Sequence, residues 1–198
     1  MKIYLDFDRT LFDCDRFIED LYKILSYYNI PRKIFLECQS KCQDIGFNIY
    51  YILDLIKEKC QLDSRVYDEI SKIMTRTNEY LYDDSVPFLK YLKSFNYDVI
   101  ILSMGNNTYQ QEKIFNSHID SWYNKLIITM EHKGKLNLDF KNSIFIDDNP
   151  TEIESILSKM PKLIIRVERN NSKYENISLN SDILSVTSLG EIIDRKLL

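Results

Sequence analysis

The first apolar run, Lys-Ile-Tyr-Leu-Asp-Phe over Lys2 to Phe7, is rich in β-forming residues and ends in acids. Such a run predicts a buried strand whose carboxyl end faces a site. From Asp15 to Leu81 the apolar spacing turns helical. Phe17, Leu21, Leu25 and Tyr28 form one stripe, Ile34, Cys38, Cys42 and Ile45 a second, and Val66, Ile70, Met74 and Leu81 a third, with Phe47 to Cys60 between them. Strand and helix patterns alternate beyond that stretch. Asp84-Ser85 offers N-cap chemistry for a helix holding Val86, Phe88, Leu89 and Leu92, with Pro87 tolerated in its first turn.

Tyr97 to Leu102 is a β-branched run ending at Ser103-Met104-Gly105, followed by a helical pattern from Asn107 to Asn116. Further apolar runs occupy Leu126 to Thr129, Ser143 to Ile146, Leu163 to Val167 and Ile183 to Val186, with helical patterns at Pro150 to Met160 and Leu189 to Leu197. This alternation predicts an α/β fold, a Rossmann-like parallel sheet flanked by helices, with an all-helical insert after the first strand. Residues 1–14 and 82–198 would form the core and residues 15–81 the insert, a lid over whatever the first strand presents.

Composition narrows the picture. At 198 residues the chain suits one domain with a modest insert, and 44% hydrophobic with 28% charged residues is ordinary globular usage. No apolar stretch nears the ~20 residues of a membrane span. The N-terminus enters a strand pattern at once, so a cytoplasmic location is expected. A net charge of −4 without a basic cluster argues against an obligatory nucleic-acid partner. No feature sets an oligomeric state. Cys14, Cys38, Cys42 and Cys60 lack metal-ligand spacing and are expected to be reduced structural thiols. His118 and His132 stand alone in sequence, without a partner constellation. Tyr27, Tyr28, Phe47, Tyr50 and Tyr51, at helical spacing, are expected in the insert's core.

In parallel sheets ligands sit outside the carboxyl ends of the strands, so polar residues that end separate runs converge in space. Here those residues are Asp6-Phe7-Asp8-Arg9-Thr10, Ser103 and Asp147-Asp148, with Lys133 and Lys135 following another run. Together they offer a carboxylate nucleophile, a carboxyl acid/base, hydroxyl and ammonium groups for phosphate oxygens, and acids for a hard cation. Taken alone, Asp-x-Asp-x-Thr also fits a turn or helix cap, and a serine after a strand fits an ordinary cap. The adjacent acids Asp147 and Asp148 repel one another without a cation.

The order of these groups resembles the four motifs of the haloacid dehalogenase-like superfamily: DxDxT at Asp6 to Thr10, an apolar strand ending in Ser103, a lysine, and the acidic pair Asp147-Asp148. The resemblance covers essentially the whole chain, and the helical insert is similar to that superfamily's C1 cap, which closes over the site and selects substrate. It implies a Mg²⁺-dependent phosphohydrolase acting on a small phosphorylated metabolite. Asp6 would be the nucleophile and a metal ligand. Asp8 would be the acid/base, its backbone carbonyl reaching the metal. Asp148 would bind the metal directly, and Asp147 through water or the outer shell. Thr10, Ser103 and the amides around Met104 and Gly105 would hold phosphate, as would Lys133, or Lys135 in its place. Arg9 departs from the glycine common at that position and puts substrate preference in doubt.

Two other readings share these groups. One is an inactive member that binds a phosphorylated ligand or partner. The other is a phospho-accepting receiver domain, whose motif order differs, because it needs its acceptor aspartate on a middle strand between the acidic pair and the Ser/Thr. A DxD glycosyltransferase would need a nucleotide-sugar site that nothing in the sequence suggests.

Overall fold

A computed structural model describes residues 1–175, 177–179 and 182–198. Six strands form one sheet: β1 (Lys2–Leu5), β2 (Asp98–Met104), β3 (Lys125–Thr129), β4 (Ile144–Asp147), β5 (Leu163–Val167) and β6 (Leu184–Val186). Their order is β3-β2-β1-β4-β5-β6, and every described pairing is parallel. The chain winds outward from β1 in one direction through β2 and β3, then in the other through β4, β5 and β6. The reversal leaves a crevice beside the carboxyl ends of β1 and β4, where such sheets bind ligands.

Each strand alternates its side chains between the two faces, which is why both residue parities are apolar. Ile3 and Leu5, Val99 and Ile101, and Ile144 and Ile146 enter one core, whereas Tyr4, Ile100 and Phe145 enter the other. The helices are α1 (Cys14–Tyr27), α2 (Arg32–Ser40), α3 (Ile49–Lys57), α4 (Arg65–Met74), α5 (Ser85–Ser94), α6 (Asn107–Phe115), α7 (Pro150–Ile156) and α8 (Leu189–Asp194). Leu89 of α5, Ile114 of α6 and Ile192 of α8 cover the first face, and Ile153 and Ile156 of α7 the second.

Helices α1 to α4 lie between β1 and α5 in sequence, and their apolar stripes extend the first core without a break through Phe12, Phe17, Leu21, Ile52 and Ile70. Phe12, Phe17 and Tyr80 stack at the junction with ring centroids 5.0–5.9 Å apart. Burying each such ring is worth about 1.5–3 kcal/mol. The two connections run side by side. The Asp13 N–H donates to the Tyr80 carbonyl at 2.7 Å, and the Tyr82 N–H to the Leu11 carbonyl at 3.0 Å.

Several elements differ from the periodicity. β1 stops at Leu5. α2 ends at Ser40, so Cys42 is buried in a turn and Ile45 is exposed. The stripe breaks because Gly46, at φ +75°, packs so closely on the loop after β2 that a Cβ would lie 2.5 Å from the Asn106 nitrogen. Asp84 makes no side-chain cap for α5, because its carboxylate binds Arg169 and the Leu189 N–H instead. α7 tightens into a 3-10 turn after Ile156 and stops at Met160, which is left-handed at φ 52° before Pro161. Tyr27 and Tyr51 are not core: Tyr27 is 81% exposed at the end of α1, and Tyr51 is exposed on α3.

Candidate active site

Asp6 follows β1 directly, and its N–H still donates to the Ile146 carbonyl of β4 at 2.9 Å. The chain then turns sharply. The Leu11 and Phe12 N–H groups both donate to the Phe7 carbonyl, and the Arg9 N–H donates to the Phe12 carbonyl. Arg9 adopts φ 59° to make this turn, in the region a side chain enters at a cost of about 1–2 kcal/mol. That backbone requirement accounts for glycine being the undemanding choice here. The loop is anchored by Arg169, which donates to the Thr10 carbonyl at 2.7 Å and to both oxygens of Asp84, with Tyr82 against its guanidinium.

The Lys133 ammonium, 1% exposed, lies 2.5 Å from Asp6 Oδ1 and 2.6 Å from Asp147 Oδ2. Lys135 is exposed and points elsewhere. The two lysines bracket a 3-10 turn over Lys133–Lys135, in which residues two apart face different sides. The turn packs tightly on α7: a Cβ on Gly134 would meet the Ser155 carbonyl oxygen at 2.0 Å. Buried Glu152 completes the seat, accepting the Lys133 N–H at 2.7 Å with one oxygen and meeting His132 Nδ1 at 2.7 Å with the other. His132 therefore has an acidic partner that its sequence neighbours did not disclose.

Asp6, Asp147 and Asp148 are all buried, and each places a carboxylate oxygen within 4.8 Å of the others. Burial pushes the Asp6 carboxyl up to about 7, with the Asp147 and Asp8 charges adding and Lys133 opposing. Burial likewise raises Asp147, against Lys133, and raises Asp148 well above its ordinary range, helped by Asp6 and Asp147. Asp148 Oδ2 is buried without a hydrogen-bond partner. Three carboxylates face one ammonium, an excess of two negative charges, and an orphaned acidic oxygen lies among them. That donor set fits a hard divalent cation with oxygen ligands.

Asp8 is turned away from this cluster towards α6. Its Oδ1 is 2.5 Å from the Lys113 ammonium, which is 3% exposed, and its Oδ2 accepts from Gln110 Nε2 at 2.8 Å. Burial alone would raise the Asp8 carboxyl, but Lys113, Arg9 and Gln110 together hold it below its ordinary value. The aliphatic stem and ammonium of Lys113 sit among Phe7, Phe12 and Tyr109, 5.1–5.8 Å from the ring centres. Gln110 also donates to Ser103 Oγ at 2.7 Å, so Ser103 reaches Asp8 only through that amide.

The remaining predicted phosphate ligands are placed as follows. Met104 lines the cavity beside the acids. The Gly105 N–H is already donated to the Thr129 carbonyl at 2.9 Å and is not a free donor, because the chain continues the β2 to β3 ladder by one residue before turning. The Thr10 hydroxyl is buried without a partner. Lys113, Gln110, Glu152 and Arg169 were not singled out in the sequence. The one available signal was in α6, where Gln110 and Lys113 share a helix face with Tyr109 and Ile114, polar groups at core positions.

A cavity of about 290 Å³ opens over these residues. Asp6, Asp8, Lys133, Asp147 and Asp148 line it, together with Cys14 and Ile18 of α1, Gln39 of α2 and Phe47 before α3.

No family profile matches the chain, and no curated protein sequence is similar to it. Its fold is nevertheless shared with solved structures along the full length. A haloacid dehalogenase-like hydrolase of Burkholderia xenovorans is 17% identical with a TM-score of 0.76, over 99% of this chain and 97% of that one. A β-phosphoglucomutase of Thermotoga maritima is 14% identical with a TM-score of 0.64, over 100% of both chains. The L-2-haloacid dehalogenase of Xanthobacter autotrophicus is 12% identical with a TM-score of 0.67, over 99% of this chain and 97% of that one. The chain therefore has the haloacid dehalogenase-like hydrolase fold.

Proposed function

We propose that the protein is a Mg²⁺-dependent phosphohydrolase acting on a small phosphomonoester through an aspartyl-phosphate on Asp6. The observation that carries this reading is the uncompensated charge of Asp6, Asp147 and Asp148 around a single ammonium, Lys133. A site for haloacids alone would bring one more anion to these carboxylates and leave Asp148 Oδ2 unpaired. Asp6, Asp148 and the Asp8 carbonyl would hold a divalent cation, with Asp147 behind them through water or Lys133, and the cation would supply charge neutralisation for the transferring phosphoryl oxygens.

The protein's own groups then divide the work. Lys133 holds Asp6 Oδ1, which fixes the carboxylate and leaves Oδ2 to attack phosphorus. The bond to the ester oxygen breaks as the Asp6–phosphorus bond forms, and Asp8, swung from Lys113 and Gln110 into the cavity it lines, delivers a proton to the departing alkoxide. Asp8 rests ionised on Lys113, so that proton arrives with the substrate, whose phosphate carries one below its second pKa of about 6. In the second half, water attacks phosphorus, ionised Asp8 takes its proton, the bond from Asp6 to phosphorus breaks, and Asp8 passes that proton to the departing inorganic phosphate and returns to its ionised rest on Lys113. The insert residues Ile18, Gln39 and Phe47 limit water and substrate size above the acids.

A panel of small phosphomonoesters, assayed for phosphate release with Mg²⁺ or with EDTA, tests the reading. Wild type should release phosphate only with the metal, and Asp6→Asn should lose at least a thousandfold in kcat, the scale at which losing a nucleophile is felt. Full activity in Asp6→Asn, or no release from any ester, would sink it.

A further inference from the structure

Arg9 holds a left-handed backbone position at φ 59°, where a glycine would be unstrained, so whatever favours arginine there lies in its side chain. The guanidinium is 14% exposed. Its Nε and Nη2 donate to Asp15 in the first turn of α1, at 2.7–3.2 Å. Its Nη1 makes no hydrogen bond among the described residues. The carboxylate of Asp15 also accepts the Lys173 N–H at 3.3 Å, which draws the loop after β5 onto the same spot. The Arg9 guanidinium carbon lies 5.7 Å from the centre of the Tyr174 ring, and the Lys173 ammonium 5.1 Å from it. Two cations thus sit against one aromatic ring. The Lys173 ammonium has no ion pair among the described residues.

Arg9, Lys173 and Tyr174 line the same cavity of about 290 Å³ as Asp6 and Asp8. Its other cation, Lys133, is already held by Asp6 and Asp147. The acids near this end are committed as well: Asp15 to Arg9, and Glu152 to the Lys133 N–H and His132. Arg9 is paired with Asp15 and also offsets the Asp148 charge, so a ligand whose phosphate meets Asp6 finds, beside the Tyr174 ring, the unpaired Lys173 ammonium and the undonated Nη1 of Arg9. The volume is at the small end for a ligand site, which leaves room for a short chain.

We propose that Arg9 and Lys173 form a second anion-binding position, and that the substrate is a short phosphomonoester with a carboxylate a few bonds from its phosphate. This deepens the phosphohydrolase reading and rests on it for the word substrate. The binding claim stands separately.

The test compares 2-carboxyethylphosphonate with propylphosphonate, which match in chain length and cannot be hydrolysed, by titration calorimetry on the full chain with Mg²⁺. A charge-assisted pair predicts that the carboxylate ligand binds about tenfold tighter or more. Lys173→Gln, an exposed change, should cut that ratio severalfold, and Arg9→Gln should bring it towards one. Phosphate release from the corresponding pair of esters is measured alongside. Equal affinities in wild type overturn the second anion position whatever the hydrolysis shows. A ratio unchanged in Lys173→Gln overturns the assignment to this cluster, even if Arg9→Gln fails to fold. Carboxylate-dependent binding without release from either ester upholds the position and removes the phosphohydrolase reading instead.

Discussion

Replacing Lys113 by Met removes an ammonium without emptying its place, because the long apolar side chain can occupy the same gap among Phe7, Phe12 and Tyr109. What changes is Asp8, left with the Gln110 bond alone. Breaking a buried ion pair by removing one partner typically costs about 3–5 kcal/mol. The Asp8 side chain remains 22% exposed and keeps one hydrogen bond, so about 2 kcal/mol is the fitting value here after solvent screening. For a chain of this length that lowers Tm by about 4–8 °C.

The assay is urea unfolding of wild type, Lys113→Met, Asp8→Asn and the double variant, in EDTA at pH 8. Each single variant strands one member of the pair. The double variant strands neither and should recover most of the loss, giving a coupling close to the sum of the two single losses, about 3–4 kcal/mol. The sign with pH follows from the lowered Asp8 carboxyl: the stability it contributes is present above its unfolded pKa of about 3.9 and is lost as pH falls through the lower folded value. In Lys113→Met that contribution is gone, so wild type and variant should converge in acid. A coupling below about 0.5 kcal/mol at pH 8 would refute the idea that Lys113 holds Asp8 ionised.

Two further outcomes are expected. Asp6 is raised to about 7 in the folded protein from an ordinary 3.8, so the fold binds a proton more tightly than the unfolded chain, and metal-free stability should fall as pH rises from 4 to 7. Mg²⁺ should reverse that trend, raising Tm more at pH 8 than at pH 5, because protons and the cation compete for the same oxygens; a pH-independent Mg²⁺ shift in thermal melts would contradict this. Gly134→Ala places a Cβ 2.0 Å from the Ser155 carbonyl oxygen, so the turn must lift and carry Lys133 with it. Phosphate release should drop about a hundredfold with a loss of about 2 kcal/mol in stability, and unchanged kinetics would show that Lys133 tolerates the displacement.

Much of this was legible because local chemistry and topology agree. Period-two burial in β1, β2, β4 and β5 is visible as apolar runs, and their carboxyl ends had to converge once the sheet was parallel. The acids Asp6, Asp147 and Asp148 could be placed on that ground before their distances were known. Lys133 and Lys135 could not be separated by spacing, since the difference arises from a 3-10 turn whose direction is set by contact with α7. The partners of Asp8 were hidden for a similar reason. Lys113 and Gln110 are about a hundred residues away in sequence, and only the packing of α6 on the Phe7 to Phe12 turn brings them to it. The early end of α2 also depends on a distant segment, the loop at Asn106 against which Gly46 rests.

The adjacency of Asp13 and Tyr80 bears on the protein's ancestry and its engineering. The helical segment leaves and rejoins the core where the Asp13 N–H meets the Tyr80 carbonyl at 2.7 Å and the Tyr82 N–H the Leu11 carbonyl at 3.0 Å, so strand register does not depend on how much chain is looped out between them. Closing a loop grows dearer only with the logarithm of its length, and a span this short could be bridged by a tight turn. The helical segment is in that sense a cassette. It could be exchanged for one of another length without re-registering a strand, provided the replacement supplies apolar cover for Phe12, Tyr80 and Tyr109 and packs on the loop at Asn106. The acids at the carboxyl ends of the central strands β1 and β4 would stay fixed while the enclosure beside them is rewritten.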